Sequence, residues 1–266
     1  MSNHKALNMF GRSGNPALNT ETFSGSANTA RSTGGIQTMD SQTMTLEGTV
    51  NKTGILLALV VLSASWTWNL FFESGNPSSV MPLAIGGAIA GFILALVTMF
   101  KKHLSSITAP LYAIAEGLFL GAISGIFEMM YPGIVVQAVG LTLGTLASLL
   151  FLYKTGIIKP TENFRLMITS ATMGIGLLYL VSMLMNMFGS GGIGFIHSNG
   201  LFGIGFSLFV VAIAALNLVL DFDFIEQGSE MGAPKYMEWF GAFSLMVTLI
   251  WLYLEMLRLL AKLRSR

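Results

Sequence analysis

The chain of 266 residues contains no cysteine, and only 10% of its residues are charged. The absence of cysteine excludes disulfides, thiolate nucleophiles, iron–sulfur clusters and cysteine-ligated zinc. Soluble globular domains carry about 25% charged residues because their surfaces are wetted, so this scarcity of charge excludes a soluble fold. The net charge of +1 provides no basic surface for nucleic acid. With 53% hydrophobic residues and a mean hydropathy of +0.69, the composition indicates a polytopic α-helical membrane protein.

The N-terminal residues 1–52 differ from the rest of the chain. They are rich in Ser, Thr, Asn and Gly, and turn formers such as Gly14-Asn15-Pro16 interrupt them. No apolar segment follows a basic start, so the pattern is not that of a cleaved signal peptide. The sequence therefore predicts a polar, largely disordered tail over 1–52 and a seven-helix transmembrane domain over 53–266.

Seven stretches are long and apolar enough to cross a bilayer, whose hydrocarbon core of about 30 Å requires about 20 apolar residues per helix. Their approximate bounds are Gly54–Phe72, Val80–Phe100, Ala109–Met130, Gly133–Tyr153, Leu166–Phe188, Leu201–Leu220 and Tyr236–Leu260. With the N-terminus in the cytoplasm, the inner segments hold 10 of the 14 Lys and Arg residues. The positive-inside rule therefore predicts a cytoplasmic N-terminus. The remaining four lie at the C-terminus and oppose this, so the seventh helix is expected to be buried centrally or not to cross fully.

Glycines recur four residues apart within three of the predicted spans. They are Gly87 and Gly91, then Gly117, Gly121 and Gly125, and finally Gly140 and Gly144. This spacing places small residues on one face of a helix, where a neighbouring backbone can approach closely. We expect these faces to pack against other helices of the same chain, with homodimerisation as the alternative.

Acidic side chains fall inside or at the end of predicted spans, where a charge costs about 2.5–3.5 kcal/mol on insertion scales. They are Glu116 in the third span, Asp221 and Asp223 at the end of the sixth, and Glu255 in the seventh. Glu116 could be neutral and hydrogen-bonded, the two aspartates could form a solvated helix end, and Glu255 could pair with Arg258. An intramembrane acid is also by default a candidate for an ion path or proton relay, and oxygen ligands suit a hard cation.

At these residues the sequence resembles the transmembrane Bax-inhibitor-motif family, specifically its bacterial branch. The resemblance covers nearly the whole chain after the tail, and its segments are Gly48–Gly54, Glu116-Gly117, Leu220–Gly228, Ala233–Trp239 and Leu252–Glu255. It implies six helices wrapped around a central C-terminal helix in the bacterial inner membrane. It also implies a pH-sensitive calcium leak controlled by two acids.

Carried over to this chain, the two gating acids are Asp221 and Glu255, with Asp223 in reserve and Glu116 as a further acid of the pore region. If the pair meets, its two carboxyl groups cannot both ionise cheaply and would share a proton. The pair is, however, 34 positions apart, from 221 to 255. Because a helix rises about 1.5 Å per residue, the acids can meet only if much of Glu226–Trp239 is non-helical.

These observations predict a channel that passes Ca²⁺ and is gated by carboxylate protonation, with the lipid bilayer, Ca²⁺ and protons as its partners. The alternative is a modulator of a membrane-bound protease, in which the tail is the recognition segment. A secondary transporter would show repeat symmetry, which the sequence lacks. There is no spaced histidine cluster and no nucleophile motif. We therefore assign no catalytic residue, cofactor or metal site, and do not expect an enzyme.

Overall fold

The computed structural model describes residues 43–189 and 192–265, apart from the side chains of Phe195 and His197. Most of the predicted tail, residues 1–42, lies outside the described residues. The described part contains seven long helices: α1 Leu46–Ser74, α2 Met81–Phe100, α3 Ser105–Met130, α4 Ile134–Lys154, α5 Glu162–Met187, α6 Leu201–Glu230 and α7 Met237–Arg264. All seven are long and apolar enough to span a membrane. The predicted all-α, seven-span fold is confirmed, and the chain is a multi-pass membrane protein.

Helix α1 begins eight residues before the predicted span at Gly54, so the last residues of the predicted tail are helical. Thr45 caps the helix: its backbone is extended and its side chain accepts a hydrogen bond from the N–H of Gly48 at 3.0 Å. Glu47 in the first turn favours the same start, because a negative charge complements the helix dipole. The helix ends at Gly75, which adopts the left-handed conformation (φ 60°) that glycine accepts without strain.

Helix α7 lies at the centre of the bundle, as the resemblance implied. In α7, 67% of the most apolar window is buried, whereas none of the other six spans in the described part of the chain exceeds 50%. It packs against α1, α3, α4 and α6, and Tyr179 of α5 reaches it through a hydrogen bond. Helix α2 packs mainly against α3. A groove of about 430 Å³, lined by residues of α1, α3, α4 and α7, opens between these helices.

The glycine faces of α2 and α3 lie at close helix contacts. A Cβ atom added at Gly121 would lie 2.9 Å from Thr67 Cβ of α1, and one at Gly117 would lie 2.5 Å from the carbonyl oxygen of Val60. Further along α3, a Cβ added at Gly125 would lie 2.9 Å from the ring of Phe71. Close approach of α1 and α3 therefore depends on these positions having no side chain.

The paired glycines of α2 lie against a neighbouring helix, whereas in the described structure those of α4 do not. A Cβ added at Gly87 would lie 2.6 Å from the carbonyl oxygen of Ala115 in α3. At Gly140 and Gly144 an added Cβ would meet no atom of the described residues within 4 Å. The expectation of close packing is therefore wrong for the α4 pair, since equal spacing along a helix does not show which face has a neighbour.

We expect Gly121→Ala to lower the melting temperature of the detergent-purified protein, because overpacking costs about 1–3 kcal/mol. Gly140→Ala is the matched control. Both changes gain about 1 kcal/mol of helix propensity, but only Gly121 faces another backbone. The control should leave melting unchanged or raise it. Equal melting of the two variants would show that α1 and α3 can separate at no cost.

Candidate functional site

Asp221 is buried within α6, and only one of its two carboxyl oxygens has a hydrogen-bond partner among the described residues. It is 8% exposed, and its Oδ1 accepts a hydrogen bond of 2.6 Å from the hydroxyl of Ser244 in α7. Its Oδ2 is buried and has no hydrogen-bond partner among the described residues. A buried carboxylate oxygen is ordinarily paired, so Oδ2, which has the Thr248 hydroxyl nearby, is an acceptor that can take a proton or a cation.

Glu255 is buried in α7, and it too has one hydrogen-bonded carboxyl oxygen and one without a partner among the described residues. It is 1% exposed, and its Oε1 accepts from Arg258 Nη1 at 2.8 Å and from the Tyr179 hydroxyl at 3.1 Å. The guanidinium of Arg258 also lies over the Tyr179 ring, 5.4 Å from its centroid. Oε2 of Glu255 is buried without a partner among the described residues. The pairing with Arg258, one of the interpretations open from the sequence, is present.

The structure does not bring Asp221 and Glu255 together. Helix α6 continues to Glu230 and α7 begins at Met237, so the connection that had to be largely non-helical is short. Asp221 lies level with Ser244, and Glu255 is eleven residues further along α7. At 1.5 Å per residue this separates the two acids by about 16 Å in depth. The shared-proton pair is therefore not formed, because both helices stay regular up to the turn.

Asp223 and Glu116, the two other predicted acids, have contacts of their own. Asp223 accepts from Arg165 Nη2 at 2.6 Å and from Gln227 Nε2 at 2.9 Å, which ties the start of α5 to α6. It is therefore an ion-paired helix residue and does not substitute for Asp221 beside Glu255. The carboxyl group of Glu116 lies against Gly91 of α2, where an added Cβ would be 2.6 Å from Oε1. That places it at the contact of α2 with α3.

Glu238, in the first turn of α7, is an acid whose contacts the sequence analysis missed. Its side chain is 0% exposed and forms ion pairs with Lys52 and, at 2.9 Å, with Lys235. It also accepts from the backbone N–H and the hydroxyl of Thr45 at 2.9 and 2.8 Å. Gly48 leaves the space that the carboxylate fills, because a Cβ there would overlap it. The start of α1 is thereby fixed to the start of α7.

Lys262 is the second residue whose role the sequence did not indicate. Its ammonium group donates to the carbonyl oxygens of Ile196 and Gly203 and to the hydroxyl of Ser207. These contacts join the end of α7 to the start of α6. In sequence, Lys262 is one of several C-terminal positive residues, and nothing in that pattern distinguishes a lysine that bonds to protein oxygens from one that is solvated.

Within the described residues, no group of three or more His, Asp or Glu side chains is placed to hold a metal ion. The fold and its half-paired core acids define a polytopic helical membrane protein with ionisable groups in its interior. Residues 15–265 match the model of the family described as Bax inhibitor 1 like. Because this match covers most of the chain, the protein belongs to that family. Among curated proteins and among solved structures, no match is found.

Proposed function

We propose that this protein is a proton-sensitive Ca²⁺ leak channel of the bacterial inner membrane, with its N-terminus in the cytoplasm. The observation that supports it is two buried carboxylate oxygens that have no hydrogen-bond partner among the described residues, Asp221 Oδ2 and Glu255 Oε2. Carboxylate oxygens are the ligands that Ca²⁺ takes in proteins. Burying ionisable groups costs stability, and an acid retained inside a membrane domain is by default a candidate functional residue.

The two acids would act as successive binding sites for a cation along its path. Ser244 holds one oxygen of Asp221 at 2.6 Å, and Arg258 holds one oxygen of Glu255 at 2.8 Å. Each side chain is thereby oriented, with its second oxygen left for the ion. A single carboxylate at each depth is a weak Ca²⁺ ligand set, and conduction requires sites weak enough for the ion to leave. Because Asp221 and Glu255 are separated by about 16 Å in depth, the two binding sites are independent.

Protons would compete with Ca²⁺ for the same oxygens. A protonated Asp221 is neutral and its free oxygen carries no charge to attract a cation, whereas the ionised form attracts one. Ca²⁺ flux should therefore rise with pH across the range in which the core acids lose their protons. This replaces the shared-proton gate with two acids that act separately. The proposal includes no catalytic step and no resident cofactor, and Ca²⁺ is the transported ion.

The direct test is Ca²⁺ entry into proteoliposomes that contain the purified protein and a trapped calcium dye, measured over a series of pH values. We expect a leak above that of protein-free vesicles, and we expect it to increase with pH. Vesicles treated with a calcium ionophore provide the full-scale signal at each pH. A protein that passes no Ca²⁺ at any pH would contradict the proposal.

Modulation of a membrane-bound protease is the second candidate function, and the anchoring of residues 43 and 44 favours it. Met44 is 2% exposed and its N–H donates to the carbonyl oxygen of Ala233 at 2.6 Å. Thr43 pairs with Pro234. Thr43 and Met44 are therefore held beside the connection of α6 and α7, and under this proposal the residues before them are the segment that recognises the protease.

Deletion of residues 1–42 distinguishes the two functions, since it leaves the contacts of Thr43 and Met44 in place. We expect the truncated protein to retain the pH-dependent Ca²⁺ leak in proteoliposomes. Under the protease proposal, the same deletion should abolish the effect on proteolysis by the partner protease in reconstituted membranes. Loss of the leak on truncation would contradict a conduction path confined to the helix bundle.

A further inference from the structure

The ammonium group of the half-buried Lys262 donates hydrogen bonds to three neutral oxygen atoms. Nζ donates to the carbonyl oxygen of Ile196 at 2.6 Å, to that of Gly203 at 3.0 Å, and to Oγ of Ser207 at 2.7 Å. Because a lysine ammonium has three N–H donors, these contacts satisfy it completely. We call these three oxygens the oxygen cage. Carbonyl and hydroxyl oxygens without charge are the groups that replace the water around a cation in ion-selective pores.

The oxygen cage and the surroundings of Glu255 share one cavity. This cavity has a volume of about 270 Å³, and its lining includes Lys262 and Ser207 together with Tyr179 and Arg258. The last two are the hydrogen-bond partners of Glu255. Lys262 follows Glu255 by seven residues, or two helical turns, so the two lie on the same face of α7 about 10 Å apart in depth. Glu255 itself does not line the cavity, so the cavity reaches from Lys262 to the two side chains that hold Glu255.

We propose that the ammonium of Lys262 is a tethered plug, which occupies a binding site for a small metal cation and closes the route to Glu255 from the C-terminal end of α7. This inference rests on the proposed leak function. When the side chain withdraws, the same three oxygens are left to coordinate a metal cation. While it is in place, its positive charge, added to that of Arg258, repels cations that approach Glu255.

A binding experiment tests the oxygen cage without any measurement of flux. Lys262→Ala, purified in detergent, is melted in choline chloride, whose cation is too large for the cage, and in NaCl, KCl or CaCl₂ at equal ionic strength. At least one metal cation should raise the melting temperature by about 2–4 °C relative to choline. The wild type, and Lys262→Met with its apolar chain in the same space, should show no such difference.

A purely structural lysine would give a different result. Lys262 also ties the start of α6 to α7, so its loss could lower stability in every salt alike. Equal melting of Lys262→Ala in choline and in all the metal chlorides would therefore overturn the cation site. Failure of Lys262→Ala to fold in any of these salts, when Lys262→Met does fold, would count against it too, because a metal cation should replace the ammonium.

A flux experiment tests the plug. Lys262→Ala should leak Ca²⁺ about tenfold faster than the wild type in proteoliposomes, which corresponds to a barrier lower by 1.36 kcal/mol. Added propylammonium should refill the oxygen cage and reduce that leak, whereas Lys262→Arg should keep it low because it retains the charge. The matched control is Arg264→Ala. Arg264 lies in the same last turn and also donates to carbonyl oxygens, those of Tyr131 and Pro132, but from an exposed position.

The outcomes separate this inference from the leak proposal. If the melting of Lys262→Ala depends on the metal cation but no variant passes Ca²⁺, the cation site is supported and the leak proposal is contradicted. If the wild type shows a pH-dependent leak and Lys262→Ala does not change it, the leak proposal is supported and the plug is contradicted. An equal increase in Arg264→Ala would also overturn it, since the effect would then follow from general positive charge at this end of the bundle.

Discussion

Replacing Glu238 with Gln is expected to lower the free energy of unfolding by about 1–3 kcal/mol, because it removes the charged partner of a buried hydrogen-bond network. The Glu238 side chain is 0% exposed and faces both Lys52 and Lys235. The amide cannot neutralise these two ammonium groups, and it weakens the contacts that fix Thr45. The change should appear as a large decrease in melting temperature of the detergent-purified protein.

Glu162→Gln is the matched control for this prediction. Glu162 also forms an ion pair with a basic residue, Arg165, at 3.5 Å, but its side chain is 86% exposed. Exposed ion pairs contribute about 0–1 kcal/mol, so this change should barely alter melting. Comparable losses from Glu162→Gln and Glu238→Gln would show that the contacts between α1 and α7 add no more than a surface pair.

The seven spans could be predicted because a bilayer imposes length and hydropathy on any helix that crosses it. The end of α6 could not be predicted in this way. The apolar run stops at Leu220, yet the helix continues to Glu230, because its acids find partners on other helices. Ser244 donates to Asp221, Arg165 to Asp223 and the Tyr153 hydroxyl to Glu226. A hydropathy window identifies residues that face lipid. It misses the end of α6 because these acids contact other helices instead.

The candidate site was harder to predict than the fold, since its contacts join residues far apart in sequence. Glu238 meets Thr45 and Lys52 across more than 180 positions, and no local spacing indicates that. A signal was present, however. Gly48 and Lys52 fall in one family-like segment and Glu238 in another, and these two segments prove to be in contact. The separation of Asp221 from Glu255 follows from helix continuity through Glu230, which the sequence left open.

The largest functional effect is expected from Asp221→Asn, which should flatten the rise of Ca²⁺ flux with pH. The asparagine oxygen can still accept the hydrogen bond from Ser244, so the change removes the charge on the unpartnered oxygen and little else. At the high-pH end of the profile we expect flux about tenfold below that of the wild type. The measurement is the pH–flux curve in proteoliposomes. Asp223→Asn, which alters an acid paired with Arg165, is the control and should keep the wild-type pH dependence.

Glu255→Gln should alter the same curve independently of Asp221→Asn. Sites more than about 7–10 Å apart that share no partner usually have additive effects, and these acids are about 16 Å apart in depth. Asp221 bonds Ser244, whereas Glu255 bonds Arg258 and Tyr179. The double variant should therefore combine the two single effects. A double variant no more affected than either single one would instead show that the two acids titrate as one unit, as a shared-proton gate requires.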